Sequence, residues 1–439
     1  MTTATDTSAT TTPATQAQAQ TSASAPASAP APEIADSGSV AEVSASSPAA
    51  TYAFPVPDLS AEALAAVTAE IATTAAEYDR TGETPRKGLD VAHRAGLLTA
   101  TVGRQYGGPG VGQRDLVRIL TALGEGDASV GLLASNLLMS HAGQAAYPHW
   151  PVAYYDDLLR RSLDGPALVN AVRAEPELGA PARGGLPKTT ATRTADGWLL
   201  NGHKSYASGG EALAYHVVWA VADEPGGDPA RPRVGHVIVP GELPGIRWIE
   251  TWDHLGLRAT HTDDVVYENV ELPADAFVEI PRGPDGVYRD PAAMAGPGGF
   301  GHPALYVGVA RAARAAFAEF ARARVPTALG RPIATTERIQ AVAGEIDLQI
   351  VQAETLLHGA LLRIEAGDAS LLPELSVLKV AVARSVIAAT QTAVAALGNP
   401  GLSRHHPLER HLRDALCIRV HPPQEDAALL ASGRRVLGA

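Results

Sequence analysis

The sequence predicts an α+β protein in three folded parts, helical, then β-rich, then helical again. Three observations predict it. From about Ser60 to Leu163, apolar residues recur at three- and four-residue spacing, as in Leu59–Ile71 and Leu116–Leu123, which is the pattern of amphipathic helices. From about Pro166 to Val278, short runs rich in β-branched residues are separated by Pro and Gly, as in a small barrel or sandwich. From about Pro303 onward the chain is rich in Ala and Leu and carries long amphipathic stretches, as in a helical bundle.

The elements follow in chain order. Of the first 50 residues, 41 are Ala, Ser, Thr, Pro or Gln, with no Lys, Arg or aromatic residue. Such a segment buries too little apolar surface to offset the entropy of ordering it, so residues 1–52 are predicted to be a disordered tail. A secretory signal would need a basic start and an apolar core, and both are missing. Residues 53–165 form the N-terminal helical domain. The cluster Gly107, Gly108, Pro109, Gly110 and Gly112 has no preceding strand and reads as a loop between helices. Residues 166–280 form the β domain. Ala167–Val169 reads as a strand. Thr190–Thr194, Asp196-Gly197 and Trp198–Leu200 read as a hairpin with a two-residue turn, and Tyr215–Val221, His236–Val239 and Val265–Val270 as further strands. Residues 281–439 hold four helices, over Leu305–Val325, Thr335–Ala366, Glu374–Leu397 and from Pro423 to Val436. Gly398-Asn399-Pro400-Gly401 stops the third.

Composition narrows the function classes. The chain of 439 residues carries 35 Lys+Arg against 47 Asp+Glu, a net charge of −12. Four of the acids (Asp6, Glu33, Asp36, Glu42) lie in the tail. A net acidic chain is a poor partner for nucleic acid or an anionic membrane surface. The single cysteine, Cys417, excludes an internal disulfide and a cysteine-based zinc site. No run of about 18 apolar residues is evident, so no membrane span is predicted, and the expected location is the cytoplasm.

Several local sequences carry a resemblance. Asn201-Gly202-His203-Lys204-Ser205-Tyr206-Ala207-Ser208-Gly209-Gly210, then Leu255-Gly256-Leu257-Arg258-Ala259-Thr260 with Asp263 and Val270-Glu271-Leu272-Pro273, then Leu397-Gly398-Asn399-Pro400-Gly401 and Arg413-Asp414-Ala415, occur in this order. Together they resemble the acyl-CoA dehydrogenase superfamily of flavoproteins over nearly everything after about residue 55. The resemblance implies an N-terminal α-helical domain, a middle antiparallel β-barrel and a C-terminal four-helix bundle. It also implies a homotetramer with flavin at a subunit junction.

A dehydrogenase of this superfamily needs a carboxylate base beside the flavin. Of the family's two base positions, one falls on Pro422, within His421-Pro422-Pro423-Gln424. The other falls on Gly301, just before His302-Pro303. Both lack a carboxylate. Glu425 and Asp426 lie just beyond and are read as favouring the positive end of the last helix. The departure resembles the superfamily's flavin-dependent monooxygenase branch, which includes dibenzothiophene monooxygenase, the oxygenase component of 4-hydroxyphenylacetate hydroxylase and amino-sugar N-oxygenases. That branch implies reduced flavin (FMN or FAD), O₂, a C4a-hydroperoxyflavin, a small organic substrate and a separate NAD(P)H:flavin reductase. No Rossmann unit is evident in the chain. The remaining readings are a dehydrogenase with a displaced base such as Glu425, and a non-catalytic relative.

By the same resemblance, His421 is expected at the flavin or substrate, with His141 as a second active-site histidine and Ser208 near the flavin ring. Tyr206 replaces a ring-packing Trp, and Asn170 is a polar flavin or substrate contact. Arg322 or Arg324 faces the flavin phosphate, a task that suits the guanidinium fork. Gly398 and Gly401 border the place where the dehydrogenases hold the adenosine half of FAD. Arg258 is expected to hold domains together.

Overall fold

The structure is a computed structural model that describes residues 52–178, 185–228, 230–283, 286–289 and 299–438. The predicted tail lies outside them except for Tyr52. Ser60 begins α1 (Ala61–Thr81), its Oγ accepting from the Ala63 N–H at 3.2 Å. Gly82, at φ 76°, ends it. Next come α2 (Arg86–Arg94), α3 (Gln113–Gly126), α4 (Ala128–Ala146) and α5 (Val152–Asp164). The glycine cluster before α3 is a packed loop. A Cβ on Gly108 would lie 2.2 Å from the Val102 carbonyl oxygen. Asp127 caps α4 through the Ser129 N–H at 2.7 Å. That helix buries Val130, Leu133, Ala134, Leu137 and Leu138 on almost every side, so it runs through the interior.

Eight strands form one sheet: β1 (Leu168–Val172), β2 (Thr190–Arg193), β3 (Gly197–Ala207), β4 (Leu213–Asp223), β5 (Val234–Pro240), β6 (Ile246–Ile249), β7 (Asp263–Pro273) and β8 (Phe277–Glu279). Their order is β6-β7-β3-β2-β4-β5-β8, with β1 also paired to β4. The pairings are not all antiparallel, as the sequence reading had them. β1 and β2 lie one after the other along β4, and both run parallel to it. Alternating polarity is the same for either direction, so the pattern carried no sign of it. The predicted hairpin is present, but its turn differs. Thr194 N–H bonds the Gly197 carbonyl at 3.0 Å, which puts Ala195-Asp196 at the centre. Gly197 serves another need, since its Cβ would lie 2.0 Å from the Leu272 oxygen of β7.

The C-terminal helices are α6 (Gly301–Ala323), α7 (Glu337–Glu365), α8 (Leu375–Leu397), the single turn α9 (Asn399–Leu402), α10 (Leu408–Leu416) and α11 (Glu425–Leu437). The fourth bundle helix expected from Pro423 is α11, which begins at Glu425 and buries only Ala428. With α7, the nine-residue α10 packs on both α6 and α8. One core joins both helical parts, including Ile119, Leu120, Leu305, Ile346 and Val386. One stretch, though interrupted by Glu374, Lys379 and Arg384, is apolar on average. The stretch Ala369–Leu397 is long and apolar enough to cross a membrane, but 56% of its most apolar window is buried against the rest of the protein. Its composition is that of a core helix.

Candidate active site

The residues next to Gly301 and Pro422, the two expected base positions, come together in space. His302, one residue into α6, stacks on His421 with ring centroids 4.5 Å apart and planes 11° apart. Tyr306 lies one helical turn beyond His302 on the same face of α6. Its hydroxyl is 2.7 Å from His421 Nε2. The loop that carries His421 is pinned by Lys379 of α8. Its ammonium donates to the carbonyls of Ile418 at 2.8 Å, His421 at 3.0 Å and Pro423 at 3.3 Å. The Pro422–Pro423 bond is cis.

Electrostatics keep both imidazoles neutral. Burial, helped by the Lys379 charge, lowers His302 to about 4. Burial, His302 and Lys379 together hold His421 well below its ordinary value. Burial raises the Tyr306 phenol well above 10. Among the described residues no carboxylate hydrogen-bonds either histidine. Glu425 is held by Arg384, with Nε and Nη2 at 3.0 and 2.6 Å from one carboxylate oxygen.

Helix α4 connects this pair to the sheet. A Cβ on Gly301 would lie 2.9 Å from Met139 Sδ and 3.2 Å from Ser135 Oγ, and one on Gly209 would lie 3.7 Å from Leu133. These α4 residues span six positions, about 9 Å of helix rise. Next to Gly209, buried Ser208 accepts from Thr262 Oγ1 at 3.0 Å, which leaves its own proton without a partner among the described residues. Asn170, on β1 and 7% exposed, has a buried Oδ1 with no hydrogen bond. A flavin ring edge carries both N–H donors and nitrogen or carbonyl acceptors, so this orphaned acceptor and free hydroxyl fit it. Tyr206 sits where the β3 register shifts, at φ 62°. That conformation turns it outward, 64% exposed.

The other expected residues lie elsewhere. His141, on α4, is fully buried and bonds Tyr155 Oη through Nδ1 at 3.1 Å. Its Nε2 has no partner, and burial lowers it to about 3. Arg324 follows α6, at the opposite end from His302. It lines a cleft of about 510 Å³ with Arg338, Thr336 and Pro400. The Gly398–Gly401 turn is therefore beside Arg324. Arg322, in the last turn of α6, has no ion pair among the described residues. Gly398 has φ 65°, and a Cβ on Gly401 would lie 2.6 Å from the Val394 oxygen. Arg258 ties its loop to α1 through the Asp79 carbonyl at 2.8 Å.

Tyr306 and Lys379 are absent from the sequence-based site. A tyrosine one turn after His302 and a lysine within an apolar Val-rich helix were the available signals.

Models of the acyl-CoA dehydrogenase family match the chain in order. The N-terminal domain matches residues 58–147, the middle domain 171–270 and the C-terminal domain 300–423. The chain is 29% identical to the putative acyl-CoA dehydrogenase YdbM of Bacillus subtilis, over 84% of this chain and 94% of that one. It is also 29% identical to the L-evernosamine nitrososynthase of a Micromonospora species, over 80% and 83%. Among solved structures it resembles KijD3 in complex with FMN and dTDP-3-amino-2,3,6-trideoxy-4-keto-3-methyl-D-glucose. That match has TM-score 0.73 and 26% identity, covering 88% of this chain and 95% of KijD3. The three domains in order, with relatives of both kinds aligned along most of their length, show that the chain belongs to the acyl-CoA dehydrogenase family of flavin-dependent oxidoreductases.

Proposed function

We propose that the chain is the oxygenase component of a two-component flavin monooxygenase acting on a small organic substrate. One observation carries the reading: the stacked, neutral pair His302–His421 lies next to Gly301 and Pro422, the two positions where the resemblance calls for a dehydrogenase's carboxylate. Bound reduced flavin, FMN or FAD, supplies the electrons that activate O₂. The chain's own residues bind and orient it. Ser208 and Asn170 meet the ring edge, His421 offers a hydrogen bond, and the apolar residues of α4 exclude water. In this reading Tyr206 meets the cofactor from its exposed position, and Gly398 and Gly401, beside Arg324, border a cofactor whose ring lies in a second copy of the chain.

Arg322 or Arg324 binds the flavin phosphate from a second copy of the chain. Each is at the far end of α6 from His302, and a helix of 23 residues spans roughly 35 Å, farther than one FMN reaches. The homotetramer expected for the family supplies that second copy. Reduced flavin comes from a separate NAD(P)H:flavin reductase, since the sequence has no Rossmann unit, and the cytoplasm is the expected location. The nitrososynthase relative directs the first substrate trials to amines, amino sugars above all.

The similarity to YdbM favours a second reading, a dehydrogenase with a displaced base. The Glu425–Arg384 ion pair supports a structural role for that carboxylate instead. The test supplies reduced flavin from an added reductase and follows O₂ uptake with a panel of amines. Substrate-dependent uptake that ends in oxidised amine, with little H₂O₂, is expected. Anaerobic bleaching of bound oxidised flavin by an acyl-CoA would overturn the proposal. Failure to bind flavin in any redox state would identify a non-catalytic relative.

A further inference from the structure

We infer that Tyr306 locks His421 in the tautomer protonated at Nδ1, so that the imidazole faces the site as a hydrogen-bond donor and cannot act there as a base. The inference deepens the proposed oxygenase reading and rests on it for its catalytic meaning, though not for its geometry. Tyr306 is 0% exposed. Among the described residues its hydroxyl has one hydrogen-bond partner, His421 Nε2, at 2.7 Å.

A phenol brings one proton. If His421 carried its proton on Nε2, both atoms would bring a hydrogen to one contact, and the Tyr306 proton would be left buried without an acceptor. Such an orphan costs about 1–3 kcal/mol. The phenol therefore donates to Nε2. A neutral imidazole then carries its hydrogen on Nδ1. That atom makes no hydrogen bond among the described residues, and the ring is partly accessible. The plane of the ring is set by the stacked His302, 11° from parallel. The backbone is set by Lys379, which holds the His421 carbonyl at 3.0 Å. Three independent contacts thus leave one free group on the imidazole, an N–H.

The chemical consequence separates the two family activities. A base needs a lone pair directed at the substrate, whereas holding activated oxygen against loss as peroxide needs a donor. Tyr306 acts through His421 and is a positioning residue.

The test reads the tautomer directly. The full chain, labelled with ¹⁵N-histidine and free of flavin, is examined by long-range ¹H–¹⁵N correlation, with the His421 signals identified by their loss in His421→Gln. The expected result is a protonated Nδ1 and an unprotonated Nε2 in the wild type, and loss of that preference in Tyr306→Phe. A wild-type His421 protonated at Nε2, or an unchanged tautomer in folded Tyr306→Phe, overturns the inference. If Tyr306→Phe does not fold, the wild-type spectrum alone decides. In the loaded enzyme, Tyr306→Phe should raise the ratio of H₂O₂ to oxygenated product at least about tenfold, since a wrong tautomer is costly to catalysis. The spectrum stands or falls without the oxygenation assay, so failure of the functional reading is distinguishable from failure of the tautomer lock.

Discussion

A half-buried histidine held neutral is a different tool from one that titrates near neutrality. Burial lowers His302 to about 4 and holds His421 well below its ordinary value, which favours the neutral form of both rings. A lowered histidine keeps its stabilising contribution at high pH and loses it only as the pH falls through the folded value. The fraction of consumed O₂ recovered in product should therefore stay flat from pH 5.5 to 7.5, and a step near 6.5 would contradict the neutral pair. Removing the donor has a larger effect. His421→Ala should lower oxygenation by about 10²-fold, the scale for loss of one positioned donor, while H₂O₂ release rises. Product and peroxide assays on the same sample check both. His421 was legible in the sequence because it follows Arg413-Asp414-Ala415 at a set distance. His302 was legible only as the neighbour of Gly301, where a carboxylate is missing. Its stack with His421 was not, because the two are 119 positions apart in the chain and meet only when α6 and the His421 loop pack together.

At the scale of elements, α6 is positioned by backbone contact. A Cβ on Gly308 would lie 2.1 Å from the Thr121 oxygen, and one on Gly124 would lie 2.1 Å from the Leu305 oxygen. Neither glycine has a left-handed φ, so their function is close approach of α3 and α6. Gly308→Ala should cost about 1–3 kcal/mol or more from overpacking, measured by urea unfolding. It should also shift His302, which α6 carries. The long helices were readable from the sequence, Leu305–Val325 being observed as Gly301–Ala323 and Thr335–Ala366 as Glu337–Glu365. The short α10 was not, because its apolar face of Leu408, Leu412, Ala415 and Leu416 spans only nine residues, too short a run to stand out from the flanking loops. Its burial comes from the helices around it. The parallel pairing of β1 and β2 with β4 was hidden for a related reason, since strand direction leaves no mark on alternation.

At the scale of the whole molecule, a polar junction joins the β domain to both helical parts. Arg413 of α10 holds Asp79 of α1 through Nη1 and Nη2 at 2.9 and 2.6 Å, and the Leu255 carbonyl at 2.8 Å. Beside it, Asp414 accepts from the Leu257 N–H at 2.7 Å. Burial pushes Asp414 up to about 7 against the Leu257 bond and Arg410. A raised carboxyl stabilises the fold most below its unfolded value near 4, and that contribution is lost as pH rises to about 7. Asp414→Asn keeps the acceptor and cannot ionise. Its melting temperature relative to wild type should therefore rise between pH 4.5 and 7.5, measured by differential scanning calorimetry.

The order of domains was legible from texture and motif, but the separation of the two ends of α6 was not. Under the proposed assembly, mixed oligomers of His421→Ala and Arg324→Glu chains should recover activity that neither variant has alone, because some sites then receive both intact residues.

The central claim is that this chain places oxygen on its substrate. The most direct measurement supplies ¹⁸O₂ with enzymatically reduced flavin and an amine substrate, then follows the label by mass spectrometry. The account predicts one ¹⁸O atom in the product, dependent on His421. Product without ¹⁸O, or flavin reduced anaerobically by an acyl-CoA, would contradict it.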